Sequence, residues 1–310
     1  MILLAIPAVA LAVVSIASFF GEWLWWLDVL ANFRAQFVVG LTIFSLSLLL
    51  TRFRRTGIAV FAVAVVNLIP VLPLYVGSPG ESEPSAPSIR VMSFNLLSDN
   101  EQFGEVIDYI RTIDPDLVLL HEASRPWEVA VEAADLGYEV IRPRSDNLIF
   151  GTLVLIRGEE IEAVSFGFAA AQPRAVHLSY RPTGWPDAID VLSTHPLAPT
   201  GKERADLRDA QLQFAADWAS GLDSPRFVVG DLNATPWSSP FRNLMDEAAL
   251  RNSQIGFGLQ PSFPTTSNVI LRVPIDHLVH SEHFIIRDRR LGPDLGSDHF
   301  PLIVDLELAP

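Results

Sequence analysis

The near absence of charge from the first 80 residues is the feature that most constrains this chain. The charged positions in this stretch are Glu22, Asp28, Arg34, Arg52, Arg54 and Arg55. The 310-residue chain has 22 basic and 36 acidic residues, so 18 basic and 34 acidic residues remain for 81–310, a formal charge of −16. The two regions suit different solvents, and the chain therefore divides into an apolar N-terminal part and a water-soluble remainder.

Three apolar runs, at 1–20, 35–51 and 57–77, are predicted to be transmembrane helices. The first is uncharged over a length that can cross a bilayer, which takes about 20 residues. A cleaved signal peptide is the alternative for this run, but the basic segment that usually precedes such a peptide is missing. Buried core helices are the alternative for all three runs, and the lack of polar periodicity argues against them. We expect a membrane anchor of about three helices over 1–77.

The basic residues Arg52, Arg54 and Arg55 predict the orientation of this anchor. They lie between the second and third runs, and short basic loops stay in the cytoplasm. With three crossings, the N-terminus is cytoplasmic and everything after Gly77 is extracytoplasmic, whereas an even number of crossings would reverse this. The tryptophans at 23–26 fit the membrane–water interface.

A linker and a mixed α/β domain follow the apolar part. Segment 78–88 is rich in proline, serine and acid and has no large apolar residue, which is typical of a linker. From 89 onwards, short β-prone runs are mixed with helical stripes without strict alternation, such as apolar positions 103, 106, 107 and 110 within 102–112. We expect a layered α/β domain with mixed sheets over 89–310.

Polar side chains follow the end of almost every predicted strand. In Phe227–Pro236, three β-prone residues lead into Gly230, Asp231 and Asn233. Asp231 and Asn233 are two positions apart, so on an extended backbone they point to the same side. A plain turn is the alternative, since Asp and Asn also stabilise turns. The other predicted strand ends argue against it, because they carry Asn95, Glu122, His195, Asp276 with His277, and Asp298 with His299.

These residue types suit phosphoryl transfer. Glu122 helped by Asn95 suits a hard divalent cation that keeps several waters. Histidines with acidic partners suit proton transfer near neutral pH, and amide or imidazole donors suit a phosphate oxygen whose charge grows in the transition state. The chain has no cysteine, which excludes disulfides, thiolate metal sites and a cysteine nucleophile. Neither a Gly-rich phosphate loop with lysine nor a Gly-x-Ser-x-Gly motif occurs.

The acidic balance bears on the substrate. Proteins that depend on affinity for a polyanion usually present a basic face, which here would oppose the field of the whole domain. This lowers the expectation of tight duplex binding. It does not exclude a nuclease in which a metal contacts the phosphate.

The chain resembles the endonuclease/exonuclease/phosphatase superfamily of DNase I-like proteins over residues 89–308. The motifs that carry this resemblance are, in order, Ser-Phe-Asn95, His-Glu122, Thr-His195, Gly-Asp231-Leu-Asn233, Ile-Asp276-His and Ser-Asp298-His299. The resemblance implies a four-layer α/β sandwich, two packed mixed β-sheets flanked by helices, with the site at one edge. It also implies Mg²⁺- or Mn²⁺-dependent hydrolysis of phosphodiester or phosphomonoester bonds by in-line attack of water. The apolar runs make the chain similar to YafD-type bacterial members, which are anchored in the inner membrane.

The resemblance assigns Glu122 as the metal ligand, with Asn95 beside it. Asp298 would be a further carboxylate of the metal or of its immediate surroundings. The family usually has Gln before the glutamate, and here it has His121; we expect this to change only the outer surroundings of the metal. Ile156 stands where the family has a serine, so no site role is expected there.

The resemblance also implies the catalytic roles. Asp231 would orient or deprotonate water, and Asn233 would hold the phosphate. His299, oriented by Asp276, would be an acid/base or would contact the phosphate, with His195 opposite it across the scissile bond. Which histidine is acid and which is base stays open.

Several substrates remain open. The acidic domain and the anchor favour a phospholipid, as in sphingomyelinases, or a small phosphodiester. The common members of the wider family favour a nuclease acting on extracytoplasmic DNA or RNA, although no basic DNA-gripping loop is visible. A non-catalytic binding module on the same fold is disfavoured, because the set of site residues is complete. No obligate protein partner is expected.

Overall fold

We describe the fold from a computed structural model. The structure describes residues 2–77, 86–142, 151–167 and 175–309. Most of the predicted linker at 78–88 therefore lies outside the described residues. The same is true of 148–150, the beginning of a strand that the sequence predicts to end at Ile156.

Four helices form the N-terminal part: α1 (Ile2–Ala17), α2 (Trp25–Ala31), α3 (Arg34–Leu49) and α4 (Arg54–Leu68). Helices α1, α3 and α4 pack around a small apolar core that includes Leu41, Leu48 and Val60. Their outer faces are also apolar. Val13, Ile43 and Ile58, one from each helix, are each about 60 % exposed (63 %, 60 % and 62 %). A surface of this kind is unusual for a protein part that faces water.

One helix in the described part, Leu3–Phe20, is long and apolar enough to cross a membrane. The pair Trp25–Ala31 and Arg34–Leu49, bent by 67°, would make two if it counts as one broken crossing. The third apolar run gives a shorter helix than predicted, because α4 ends at Leu68, just before Pro70 and Pro73. Three crossings therefore remain a prediction.

The rest of the chain forms two six-stranded sheets. The first has the strand order β11-β12-β1-β2-β4-β3 and the second β5-β6-β7-β8-β10-β9. The strands are β1 (Ser88–Asn95), β2 (Leu117–His121), β3 (Glu139–Ile141), β4 (Thr152–Ile156), β5 (Glu159–Phe166), β6 (Ala175–Arg181), β7 (Ile189–Ser193), β8 (Arg226–Asp231), β9 (Arg251–Asn252), β10 (Asp276–His280), β11 (Phe284–Leu291) and β12 (Leu302–Leu308). The pairs β1/β2 and β7/β8 are parallel, and the other strand pairs are antiparallel.

The two sheets pack face to face and carry helices on their outer faces. The inner core joins Leu119 of the first sheet to Val191 and Val229 of the second. Helices α5 (Phe103–Ile113) and α6 (Arg125–Ala133) cover the first sheet, while α7 (Lys202–Ser220) and α8 (Ser239–Glu247) cover the second. The central strands are buried on both faces, which explains their nearly continuous apolar runs. The predicted four-layer α/β sandwich is confirmed.

The N-terminal helices contact the second sheet's side of the domain through buried polar groups. Asp28 Oδ2 lies 2.8 Å from Arg208 Nη2, and Asp28 Oδ1 accepts a hydrogen bond from the backbone N–H of Ser239 at 2.6 Å. Asn32 Oδ1 accepts from the N–H and the hydroxyl of Thr235, at 3.2 and 2.9 Å. Trp237 Nε1 donates to the carbonyl of Pro70 at 3.1 Å. The apolar part is thus fastened to the loop that follows β8.

Candidate active site

The carboxyl ends of the two parallel strand pairs meet at one edge of the sandwich. Strand β1 ends at Asn95, and Glu122 follows β2. In the second sheet His195 lies two residues beyond β7, and β8 ends at Asp231, which pairs with Asp276 of β10. Within each sheet chain direction places the ends of the parallel strands at the same edge, and the face-to-face packing of the sheets brings the two sets of side chains together.

Asn95 joins the two sheets at this edge. Its Nδ2 donates to Glu122 Oε1 and to Asp231 Oδ2, both at 3.1 Å. Its Oδ1 accepts from the backbone N–H of Leu97 at 3.1 Å. In this arrangement the amide nitrogen faces the carboxylates. For the predicted role of Asn95 beside the metal, the amide would have to turn.

Glu122 occupies a strained position at the mouth of the site. Its φ is +55°, a left-handed conformation that is uncommon for a residue with a side chain. Its Oε2 accepts from the N–H of Ser98 at 3.3 Å, and its Oε1 lies 3.9 Å from His195 Nε2. Strain of this kind is concentrated at functional sites, where surrounding contacts hold it in place.

Both histidines lie close to the same oxygen of Asp231. His195 Nε2 is 3.3 Å and His299 Nε2 is 3.5 Å from Asp231 Oδ2. Burial raises the pKa of Asp231, but the charge of His299 and the hydrogen bond and charge of His195 outweigh it and hold this pKa far below its usual range. Burial lowers the pKa of His195, but the hydrogen bond and the charge of Asp231 outweigh it. The pKa of His195 is therefore raised. Asp231 is therefore ionised, with both imidazoles close to its Oδ2.

His299 forms a buried pair with Asp276. The distance from His299 Nδ1 to Asp276 Oδ2 is 2.8 Å, and the aromatic ring of Phe263 stacks on the imidazole with centroids 4.7 Å apart. Burial alone would lower the pKa of His299, but the charges of Asp276 and Asp231 raise it to about 10. The imidazole is consequently protonated at neutral pH in the metal-free protein.

Asn233 and Asp298 complete the set. The Asn233 N–H donates to Asp231 Oδ1 at 3.0 Å, and its Nδ2 donates to the carbonyl of Pro196 at 2.9 Å. Asp298 Oδ1 is 4.0 Å from His299 Nε2. Burial, together with the charges of Glu122 and Asp231, raises the pKa of Asp298 against the opposing effect of His299. All eight predicted site residues lie around this edge.

Seven of the eight, all except Asp276, line one open cleft of about 170 Å³. Pockets that enclose a whole small molecule measure about 300–1,000 Å³. The cleft therefore has room for a reacting phosphate group, while the rest of a substrate would stay outside it. Arg204 also lines the cleft, although no motif in the sequence singles it out.

Two groupings could hold a metal. Asp231, Asp276 and His299 each offer a ligand atom, and these atoms lie within 4.8 Å of one another. The second grouping is the predicted one, Glu122 with Asp298 and Asn95. Mg²⁺ prefers oxygen ligands, so the chemistry of the donors favours the second, all-oxygen grouping for Mg²⁺ or Mn²⁺.

Several further residues support the site in ways that the sequence does not predict. Ser297 Oγ donates to the carbonyl of Asn95 at 2.7 Å and accepts from the N–H of His299 at 3.0 Å, which ties the last loop to β1. The buried Arg289 donates to the carbonyl of Asp276 at 3.0 Å. His121 is fully buried, and neither ring nitrogen has a partner among the described residues. Burial, with His195 nearby, lowers its pKa to about 3, so it is neutral.

The fold is that of several solved structures. The chain is 16 % identical to an endonuclease/exonuclease/phosphatase protein from Bacteroides vulgatus, over 72 % of this chain and 100 % of that one, with a TM-score of 0.60. It is 20 % identical to the human Nocturnin catalytic domain with a bound sulfate anion, over 72 % and 96 %, with a TM-score of 0.57. It is 14 % identical to D. rerio TDP2 complexed with a single-strand DNA product, over 71 % and 99 %, with a TM-score of 0.59. No curated protein matches the chain in sequence.

The sequence of residues 92–299 matches the sequence pattern of the Endonuclease/Exonuclease/phosphatase family. The chain belongs to this family, as its motifs predict. Family members are hydrolytic phosphoesterases, typically dependent on a divalent metal.

Proposed function

We propose that this protein is a membrane-anchored, divalent-metal-dependent phosphoesterase that hydrolyses phosphodiester bonds by in-line attack of water. The observation that carries the proposal is the position of Asn95, which bonds to Glu122 of one sheet and Asp231 of the other next to the Asp276–His299 pair. Such a set offers ligands, an ionised acceptor for a proton and a cationic donor within one small cleft.

Glu122 and Asp298 are the residues that would hold Mg²⁺ or Mn²⁺, with Asn95 beside them. Burial and the nearby charges of Glu122 and Asp231 raise the pKa of Asp298 against the opposing effect of His299, so a cation near Asp298 would stabilise its ionised form. When bound, such a cation supplies positive charge next to the phosphoryl oxygens.

The remaining residues would orient water and move protons. Asp231 Oδ2 is ionised and is therefore suited to orient or deprotonate water. His299, held protonated by Asp276, is suited to donate from Nε2 to a phosphate oxygen or to the leaving group. Asn233 would hold the phosphate. His195, whose Nε2 is 3.3 Å from Asp231 Oδ2, would contact the same phosphate from the side opposite His299, as the family resemblance implies.

Anchoring in the bacterial cell membrane is supported by the apolar outer faces of α1, α3 and α4. The beginning of α1 and the Arg52–Arg55 loop lie at the opposite ends of these helices from the residues that contact the catalytic domain, such as Asp28, Asn32 and Pro70. This arrangement agrees with a cytoplasmic N-terminus, three crossings and an extracytoplasmic catalytic domain after the linker at 78–88. It also agrees with a YafD-like subtype.

A nuclease is the second candidate. D. rerio TDP2, a structural neighbour, was solved with a single-strand DNA product. The formal charge of −16 on residues 81–310 opposes a long nucleic-acid interface, which favours a lipid or a small phosphodiester.

The test uses the full chain in lipid nanodiscs with Mg²⁺. Single- and double-stranded DNA, RNA, phospholipids, phosphomonoesters and bis-p-nitrophenyl phosphate are offered side by side. We expect hydrolysis that chelation abolishes and that Glu122→Gln lowers about 100-fold or more, since a bound cation supplies several kcal/mol to the transition state. Glu105→Gln, at an exposed position on α5, is the matched control. An unchanged rate in Glu122→Gln would contradict its ligand role.

A further inference from the structure

Exposed apolar side chains in the catalytic domain are concentrated in one turn. Between residues 86 and 309 of the described chain, the exposed large apolar residues are Val129, Val164, Ile255, Val269, Ile270 and Leu271. The last three are consecutive and are about 60 % exposed each (60 %, 61 % and 58 %). They form a short 3₁₀ turn, and single exposed apolar residues elsewhere are ordinary. Three adjacent exposed apolar residues indicate a surface that contacts another apolar surface.

This turn is the tip of a loop whose base belongs to the active site. Phe263 and Val273 pair with each other and close the loop. Phe263 stacks on His299, and the N–H of Thr265 donates to the carbonyl of Asp298 at 2.8 Å. We call residues 263–273 the rim loop. Its tip and the catalytic cleft are thus parts of one continuous segment.

The rim loop is held in shape from within. Arg272 donates from Nε to the carbonyl of Ser267 at 3.0 Å and from Nη2 to the carbonyl of Thr265 at 2.8 Å. Asn268 Oδ1 accepts from the N–H of Ile270 at 3.1 Å. Because internal hydrogen bonds fix the backbone, the apolar tip is presented in an ordered form.

The rim loop is also fastened to the N-terminal helices. Gln36 Nε2, near the start of α3, donates to the carbonyl of Arg272 at 2.9 Å. Gln36 begins a stripe along one face of α3, at helical spacing, whose other members are exposed: Val39, Ile43, Leu46 and Leu50. The apolar tip therefore lies beside the end of an apolar helix face, where that face meets the catalytic domain.

We infer that the rim loop rests on the bilayer that surrounds α3, with Val269, Ile270 and Leu271 inserted among the lipids. The cleft beside Phe263 then faces the membrane surface. On the proposed function, the substrate is a phosphoester of an amphiphile whose apolar part stays in the membrane while its phosphate enters the small cleft. This inference rests on the proposed hydrolysis and on the anchor.

The charge of this part of the domain is compatible with contact between the rim loop and a bilayer. Residues 248–275, which include the rim loop, contain no Asp or Glu and have Arg251 and Arg272 as their charged residues. The rest of the domain is strongly acidic. Bacterial-type bilayers with anionic lipids repel acidic surfaces and attract basic residues near the surface by about 1 kcal/mol each, so this loop is the part of the domain best suited to approach one.

Depth measurement tests the location independently of activity. The chain has no cysteine, so Ile270→Cys supplies a single thiol for a spin label in the full chain. In nanodiscs of phosphatidylethanolamine and phosphatidylglycerol, we expect this label to be accessible to oxygen and protected from a water-soluble nickel chelate. Val129→Cys on α6, 53 % exposed, is the aqueous control. Equal nickel accessibility of the two labels would overturn the inference, as would dipolar coupling between labels on two copies at position 270.

Activity measurement tests the substrate class. Ile270→Glu is expected to lower the rate on phospholipids in vesicles at least tenfold, with the rate on soluble bis-p-nitrophenyl phosphate kept within about twofold, since placing a charge in the bilayer is costly. If the wild type cleaves the soluble diester while Ile270→Glu changes neither rate or both equally, the inference is wrong and the proposed function stands. If the wild type cleaves neither substrate with Mg²⁺, the proposed function itself is wrong.

Discussion

Asp28 and Arg208 form a buried ion pair between parts of the chain 180 positions apart, with Oδ2 and Nη2 separated by 2.8 Å. Both side chains are almost fully buried, at 3 % and 0 % exposure. Arg208 Nη1 also donates to the carbonyl of Asn233 at 3.0 Å. Asn233 has a φ of +48°, so the ion pair supports a strained residue of the candidate site from behind. The N-terminal helices thereby contribute to the geometry of that site.

Asp28→Asn is expected to destabilise the full chain by about 1.5–3 kcal/mol, because it removes a buried charge-assisted hydrogen bond of Arg208, which keeps its contact with Asp209 Oδ1 at 2.6 Å. Asp206→Asn, which removes an exposed partner of Lys202, should cost at most about 1 kcal/mol. Denaturant unfolding in detergent micelles measures both. Similar small losses in the two variants would show that the N-terminal part does not stabilise the domain.

Asp276→Asn and His299→Gln should each lower the rate on bis-p-nitrophenyl phosphate by about 10²- to 10⁴-fold, the usual contribution of a positioned acid or base. The double variant should be little worse than the poorer single variant, because the two side chains act as one unit. Rates of the wild type, the two single variants and the double variant, measured at saturating Mg²⁺, test this prediction. Losses that multiply would argue against a functional pair.

The raised pKa of His299 predicts a pH dependence of stability. Its usual value is 6.5 and its value in the folded, metal-free protein is about 10. The charged form is thus stabilised by folding, so the contribution is complete below about pH 6.5 and is lost as the pH rises through about 10. With a chelator present, the melting temperature of the wild type should exceed that of His299→Gln most below pH 6.5, and the difference should shrink towards pH 10. A difference that does not change over this range would contradict the ion pair.

Alkaline phosphatase, which folds only outside the cytoplasm, reports the orientation of the anchor. Fused after Pro310, it should be active if the chain crosses the membrane three times with Arg52, Arg54 and Arg55 inside. Fused directly after Arg55, it should be inactive. Activity of the second fusion and silence of the first would reverse the topology.

The candidate site was predictable because its residues are marked locally. Asn95, Glu122 and Asp231 each stand at the end of an apolar strand, and the ends of parallel strands meet. Asp231 belongs to the other sheet, so its approach to Asn95 and Glu122 also depends on the packing of the two sheets, which the family resemblance implies. The orientation of the Asn95 amide, in contrast, depends on the N–H of Leu97 and on a carboxylate of the other sheet, and no local pattern encodes it.

The edge strands were not predictable in the same way. The four edges of the two sheets are Glu159–Phe166, Phe284–Leu291, Glu139–Ile141 and Arg251–Asn252, and no apolar run in them is longer than three residues. Phe284–Leu291, for example, contains Arg287, Asp288, Arg289 and Arg290. Charged residues and short length protect edge strands from further pairing. The same properties leave these strands without the apolar pattern by which a strand is recognised in a sequence.

The contact between the two parts of the chain could not be predicted from the sequence either. Composition separates residues 1–77 from 89–310 and suggests two independent units. Asp28 looks like an isolated acid near an interface, and Arg208 like one of several charges on α7. Only the fold shows that they bond to each other.

The pairing of Asp28 with Arg208 and Ser239 has a consequence for biosynthesis. Asp28 leaves the ribosome 180 residues ahead of Arg208, and domains form in the order in which they are made. The carboxylate of Asp28 therefore has neither of these partners until α7 and α8 have been translated. The N-terminal helices thus reach their final structure only after most of the catalytic domain has been made.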